Sequence, residues 1–183
     1  FENGTGTIIS NIEKLNDLQK RGIILNKITE NRNKVTGVTS EGNISKITIH
    51  NVPDKPGITA KVFKPLSEAG INVDVIVQNV SRNNKTDLTF TVKNEDLTHA
   101  LNIVQNKSIK NINYENITSG SNYAKISIIG TGIQNSPGYA AKFFEALFKS
   151  KVNIEMITTS DIRITCLINE KDINKAINKI HDV

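Results

Sequence analysis

One cysteine, one methionine and no tryptophan occur in this chain of 183 residues. The single Cys166 cannot close an internal disulfide and cannot supply a cysteine-based zinc cluster. Three histidines, His50, His99 and His181, are scattered, none at the i, i+4 spacing of a helical metal site. No apolar run approaches the ~20 residues that a helical membrane span needs. Aromatic residues make up only 5%, and the four arginines, Arg21, Arg32, Arg82 and Arg163, lie far apart with no interleaved rings. Nucleic-acid surfaces cluster basic and stacking side chains on one face, so that class is disfavoured. The net charge of +5 is carried almost wholly by lysine and reads as a solvated surface. The opening Phe1-Glu2-Asn3-Gly4 has neither a basic n-region nor an apolar h-region, so a cytoplasmic location is expected. What is present, 37% hydrophobic and 22% charged residues, is an ordinary globular composition with room for one medium domain or two small ones.

Internal repetition decides the architecture. Lys46-Ile-Thr-Ile-His50 reads like Lys125-Ile-Ser-Ile-Ile129, and a loop ending in Pro-Gly follows each, at Pro56-Gly57 and Pro137-Gly138. The stretches starting at Ala60-Lys61 and Ala141-Lys142 then run in register, and Ile71-Asn72-Val73-Asp74 mirrors Val152-Asn153-Ile154-Glu155. Further on, Asp87-Leu88-Thr89-Phe90 pairs with Asp161-Ile162-Arg163-Ile164, with a shorter hairpin in the second copy.

The periods within one copy predict its elements. Residues 46–50 alternate polar and apolar, as in a half-buried strand. Ile58, Val62, Phe63 and Leu66 recur at helical spacing after Pro56-Gly57, and Gly70 suits a left-handed cap at the helix end. Residues 71–80 and 86–92 read as strands joined by a polar hairpin at 81–85. Asn94 is placed to cap a helix carrying Leu97, Ala100, Leu101 and Val104 on one face, and a last strand is expected near 111–118. The order β-α-β-β-α-β is the ferredoxin-like plan. The second copy runs out after its second helix, at about 171–180, while residues 35–39 form a strand with no partner. That early strand is therefore expected to complete the second copy, so that the first unit is nested in the second; the alternative is a second copy cut short of its C-terminal strand. The first 34 residues are less legible: 6–9 as a short strand, 11–21 as a helix and 29–33 as a linker. The chain reads as a piece of something larger.

The loop Asn51-Val-Pro-Asp54-Lys55-Pro56-Gly57-Ile58 leads into a helix N-terminus, where free N–H groups and the helix dipole favour an anion such as a carboxylate. Gly57 lets a ligand approach the backbone, and Asp54 supplies a negative charge suited to an ammonium group. Together they match the two ends of a free amino acid. The plainer reading of the same residues is a helix cap and a turn. The second loop, Gly130 to Gly138, has no acid, so its ammonium partner must come from elsewhere. Its Gly130-x-Gly132 lacks the third glycine and later acid of a dinucleotide fingerprint. Gln78, at a strand end, is placed to hydrogen-bond a small ligand or simply to belong to the hairpin loop. His50 reads as a strand-end residue and Cys166 as a small core residue. No nucleophilic triad, phosphate-binding lysine loop or paired carboxylates in a cleft is present.

These motifs resemble the paired ACT domains of bacterial aspartate kinase. The resemblance rests on Asp54-Lys55-Pro56-Gly57, Ile71-Asn72-Val73-Asp74 and Gln78-Asn79-Val80-Ser81, and on Ser136-Pro137-Gly138 and Val152-Asn153-Ile154-Glu155 in the second copy. It implies an α+β fold of two ACT units, the first nested in the second. Residues 44–118 would form unit 1, residues 34–40 with 119–183 unit 2, and residues 1–33 the end of a kinase domain plus a linker. It implies that the parent enzyme phosphorylates aspartate with ATP and Mg, on the route to lysine, threonine and methionine. This stretch would be its regulatory portion, or a separately made regulatory subunit of the same sequence, with no cofactor, no metal and no activity alone. It also implies a homodimer through the ACT units, contact with the kinase catalytic domain, and free amino acids as effectors. Carried over by position, one site joins Asp54, Gly57, Ile58, Thr59 and Gln78 to Asn153 and Ile154 of a partner unit and suits threonine. The other joins Ser136, Gly138, Tyr139 and Ser160 to Asn72, Val73 and Asp74 and suits lysine. The family often has a larger or hydroxylated residue at the positions of Ser136 and Ala140. Alternatives on the same sequence are a stand-alone tandem ACT sensor, the regulatory tail of another amino-acid enzyme, or a purely structural assembly module. A small acylphosphatase-like enzyme is disfavoured because neither Pro-Gly loop carries an arginine.

Overall fold

A computed structural model describes residue 35 and residues 37–79, 83–108, 110–133 and 137–180. The expectations for residues 6–33 therefore lie outside the described residues, as does Ser136. The elements follow in the order β1 (Gly37–Pro53), α1 (Ile58–Glu68), β2 (Ile76–Gln78), β3 (Lys85–Lys93), α2 (Leu97–Ile103), β4 (Ile117–Ile129), α3 (Tyr139–Lys149), β5 (Met156–Ser160), β6 (Arg163–Asn169) and α4 (Ile173–Ile180). All described strands join one antiparallel sheet in the order β2-β3-β1-β4-β6-β5.

Two strands expected as separate pieces are continuous. The early strand runs on into residues 46–50 as β1; of the last strand expected near 111–118 only the end, from Ile117, is strand, and it runs on into residues 125–129 as β4. Each long strand serves both copies. The start of β1 pairs with the end of β4, Gly37 opposite Ile129, while the end of β1 pairs with the start of β4, Ile49 opposite Ile117. The expected nesting is therefore present: residues 37–41 supply the strand that the second copy lacks. The polar stretches between those pieces are irregularities within the strands. Register shifts fall between Glu41 and Lys46, and Asn43 and Asn122 take positive φ of 64° and 60°. Asparagine tolerates that region better than most residues. The Asn43 N–H donates to Glu170 Oε1 at 2.9 Å.

Each copy has its own core. Ile47, Ile49, Leu88 and Phe90 of the sheet meet Val62 and Leu66 of α1 and Ala100 and Ile103 of α2. Ala124, Ile126, Ile128, Ile164, Cys166 and Ile168 meet Phe143, Ala146 and Leu147 of α3 and Ala176 and Ile180 of α4. Burial pushes the Cys166 thiol up to about 12, so it is an inert core group. At ~1.5–3 kcal/mol for each large apolar side chain buried, these cores dominate the stability of each half.

Three expectations need correction. Regular pairing in the second strand covers only Ile76–Gln78, although the Asp74 N–H still donates to the Thr91 carbonyl at 3.1 Å. Asn94 does not cap α2: it opens a 3-10 turn, Asn94–Asp96, and its side chain accepts from Ser45 Oγ at 2.6 Å. The internal alignment also shifts by two residues at the second hairpin. Thr48 lies opposite Thr89, and its counterpart Ser127 lies opposite Thr165. Asp87-Leu88-Thr89-Phe90 therefore corresponds to Arg163-Ile164-Thr165-Cys166, because inward-facing residues must match inward-facing ones.

Helices α1 and α3 end alike. The Ile71 N–H donates to the Leu66 carbonyl and the Gly70 N–H to that of Ser67, and Val152 to Leu147 and Lys151 to Phe148 repeat the pattern. The left-handed position is Gly70 in the first copy, at φ 73°, but Lys151 in the second, at φ 56°. A left-handed non-glycine residue costs ~1–2 kcal/mol, and glycine gives back ~0.4–1 kcal/mol through the unfolded chain. Lys151→Gly is expected to raise the melting temperature by a few degrees. A thermal scan showing no rise would contradict this account of the cap.

Candidate functional site

The Asp54 loop leaves β1 at Pro53 and enters α1 through Gly57, whose φ is 88°. A Cβ at Gly57 would meet nothing within 4 Å, so the backbone conformation and not crowding selects glycine there. Gly138 enters α3 in the same way, at φ 107°. In both helices the N-cap is this glycine and no side chain bonds the first turn. Asp54 is thus not a helix cap, which removes the plainer reading of the loop. It is exposed, and among the described residues its carboxylate has no hydrogen-bond or ion-pair partner.

Asp54, Ile58, Thr59 and Gln78 line one depression over Val52, Thr86 and Leu88. Thr59 Oγ1 donates to Gln78 Oε1 at 3.4 Å, so β2 and the start of α1 face each other there. The volume is about 10 Å³, room for no more than a water. An amino acid fits only if a second surface closes over it.

The remaining expected residues lie elsewhere. Asn153 and Ile154 precede β5; the Asn153 amide donates to Glu155 Oε1 at 3.3 Å, and Ile154 packs on the second core. Asn72 is exposed and Val73 packs on the first core, just ahead of β2. Gly138 and Tyr139 open α3, and Ser160 ends β5 opposite Arg163. Within one chain the Asp54 set and the Asn153 set are not brought together. Each lies at an outer edge of the sheet, where β2 and β5 are the end strands.

A pair of contacts between the copies was not anticipated. Lys46 Nζ bonds Glu155 Oε2 at 2.9 Å, and at the equivalent place Lys125 Nζ bonds Asp74. Lys125 also meets Glu41 at 2.8 Å, and Lys46 lies 5.2 Å from the Tyr123 ring centre. Each lysine alternates with inward-facing residues and so leaves the sheet on the side away from its core. Each holds the loop just ahead of an edge strand in the other copy. The repeats Lys46/Lys125 and Asp74/Glu155 were visible in the sequence, but nothing there shows that they cross-pair. Burial pulls the Lys125 ammonium down, yet its hydrogen bonds to Asp74 and Glu41 and their charges outweigh this and hold it above its ordinary value. The hydrogen bond from Lys46 holds Glu155 below the usual carboxylate range, against a smaller upward push from burial. His50 meets Asp87 at 3.2 Å through Nδ1 and Thr118 at 2.8 Å through Nε2, as a strand-end residue.

An ACT-domain family profile matches residues 47–107 and 126–183. The aspartokinase of Pseudomonas aeruginosa is 37% identical over 181 residues, 99% of this chain but 41% of that protein. The chain thus spans about two fifths of the length of that curated relative. The regulatory subunit of aspartate kinase from Thermus thermophilus, in a ligand-free crystal structure, is 36% identical with a TM-score of 0.73, covering 81% of this chain and 97% of that one. A structure of aspartokinase alpha and beta subunits matches at 34% identity and a TM-score of 0.73, over 81% and 97% of the two chains. The chain belongs to the ACT-domain family and, within it, to the tandem regulatory portions of aspartate kinases. Among the described residues no group of three or more His, Cys, Asp or Glu side chains is placed to hold a metal, and no helix is long and apolar enough to cross a membrane.

Because the folded-state pKa of Glu155 is depressed, its pairing with Lys46 stabilises above the usual glutamate range and is lost as pH falls through the folded value. The pair is partly exposed, so the effect is small. Lys46→Met should flatten the acid limb of stability against pH, measured by urea denaturation at a series of pH values; an unchanged limb rules the contact out as a contributor.

Proposed function

We propose that this chain is the effector-binding regulatory portion of an aspartate kinase, through which free lysine, threonine or both feed back on the ATP-dependent phosphorylation of aspartate. One observation carries the reading: an Asp54 carboxylate with no partner among the described residues stands beside a helix N-terminus that no side chain caps. The N-terminus suits a carboxylate, and Asp54 suits an ammonium group. Thr59 and Gln78 are at hand for a side-chain hydroxyl.

In this reading two copies join so that Asn153 and Ile154 of one close over the Asp54 depression of the other. The edge position of β2 and β5 supports it, since edge strands carry unpaired backbone groups open to pairing. The second site is built in the same way from Ser136, Gly138, Tyr139 and Ser160 with Asn72, Val73 and Asp74 of the partner copy. The units correspond to residues 44–118, and to 34–40 with 119–183, following a kinase-derived segment at 1–33. The effector holds two units in one orientation, and its effect on the kinase catalytic domain is a coupling free energy, typically ~1–3 kcal/mol. Alone, in the cytoplasm or in the tube, the chain performs no phosphorylation.

Calorimetric titration with L-threonine and with L-lysine tests this. A charge-assisted hydrogen bond contributes ~1.5–3 kcal/mol, so Asp54→Ala should weaken threonine binding tenfold or more while the melting temperature of the free protein stays put. Undiminished affinity in that variant sinks the site.

A further inference from the structure

We propose that the second copy carries a further site, complete within one chain, for a free α-amino acid in its zwitterionic form. It goes beyond the effector sites above, shares only Asp74 with them and does not depend on a partner copy.

A cavity of about 390 Å³ lies on the side of the sheet away from the second core, a size within the usual range for small-molecule sites. Its floor is a row of four hydroxyls on four adjacent strands: Thr39 lies opposite Ser127, Ser127 opposite Thr165, and Thr165 opposite Thr158. Ser127 and Thr165 bond each other at 2.7 Å and are buried, while Thr39 and Thr158 retain exposure. Two residues along one strand from the floor stands Arg163; on its other side stand Glu41 and Lys125, with Asp74 arriving from the first copy. Among the described residues the Arg163 guanidinium has no hydrogen-bond or ion-pair partner. The Glu41 and Asp74 carboxylates share one lysine, and their side chains keep 60% and 47% exposure, so acceptor capacity remains.

The first copy shows what this place looks like when it is filled. Its corresponding row is Thr118, Thr48, Thr89 and Val77, and Asp87 stands where the second copy has Arg163. There His50 reaches both Asp87 and Thr118, and the Asn51 N–H donates to Asp87 at 2.9 Å. In the second copy Ile129, with an apolar side chain, takes the position of His50 opposite Arg163. The Arg163 guanidinium, the hydroxyl row and the Glu41 and Asp74 carboxylates all line this one cavity, where the carboxylate of a small molecule can meet the guanidinium and its ammonium an acid.

Amide NMR spectra of the intact chain, titrated with L-threonine, L-lysine, L-aspartate and succinate in turn, test this. At least one amino acid should shift the amides of Thr39, Ser127, Thr158 and Thr165 saturably, and succinate, lacking the ammonium group, should bind at least tenfold more weakly. Arg163→Gln should weaken that binding tenfold or more, and Asp54→Ala should leave it within twofold. If none of the amino acids moves those amides, if succinate binds as well as they do, or if Arg163→Gln keeps full affinity, the proposal is wrong. Loss on Asp54→Ala with retention on Arg163→Gln would likewise overturn it, assigning the binding to the Asp54 site instead.

Discussion

Backbone pairing between β1 and β4 makes one object of two ACT units. Each strand gives one end to each unit, and Gly37 opposite Ile129 and Ile49 opposite Ile117 mark the two ends of the shared ladder. No linker separates the halves: two hydrogen-bonded strands run from one into the other. The positive φ at Asn43 and Asn122 lies within this seam, where each strand passes from one core to the other. A register slip there would turn the inward residues of a whole half outward, so the ladder fixes the geometry that the sites depend on.

The crossed pairs Lys46–Glu155 and Lys125–Asp74 act on a different energy scale. Partly exposed ion pairs contribute ~0–1 kcal/mol, against ~1.5–3 kcal/mol for each large buried apolar side chain. They do not hold the halves folded. What they fix is position: each lysine ties down the loop that precedes the other half's edge strand, and those loops carry Asn72, Val73, Asn153 and Ile154. A small energy of orientation is on the scale of the coupling, ~1–3 kcal/mol, that the proposed effector binding would supply.

Duplication leaves the copies alike where packing demands it and different where chemistry is at stake. The inward positions keep apolar residues: Val62 matches Phe143, Leu66 matches Leu147, and Phe90 matches Cys166. The outward positions diverge, with His50 and Asp87 in one copy and Ile129 and Arg163 in the other. The Asp54 loop keeps an acid that the loop before α3 lacks among residues 130–138, though both enter their helices through a left-handed glycine.

The periods and the repeat were enough to read the helices, most of the strands, the nesting and the Pro-Gly entries, because each follows from local backbone chemistry or from a count of strands. Asp54, Ile58, Thr59 and Gln78 were grouped only through the family resemblance, and they line one depression because they lie on neighbouring elements of one unit. The continuity of β1 and β4 was not legible, since Glu41-Gly-Asn43 and Ser119-Gly-Ser-Asn122 look like loops until pairing spans them. Nor was the two-residue shift at the second hairpin, which depends on the strand opposite. Cross-paired lysines, and an Arg163 with no partner among the described residues, belong to the same class. Residue types and spacing determine what each short segment can become, but which charge meets which is settled only when distant strands come into register.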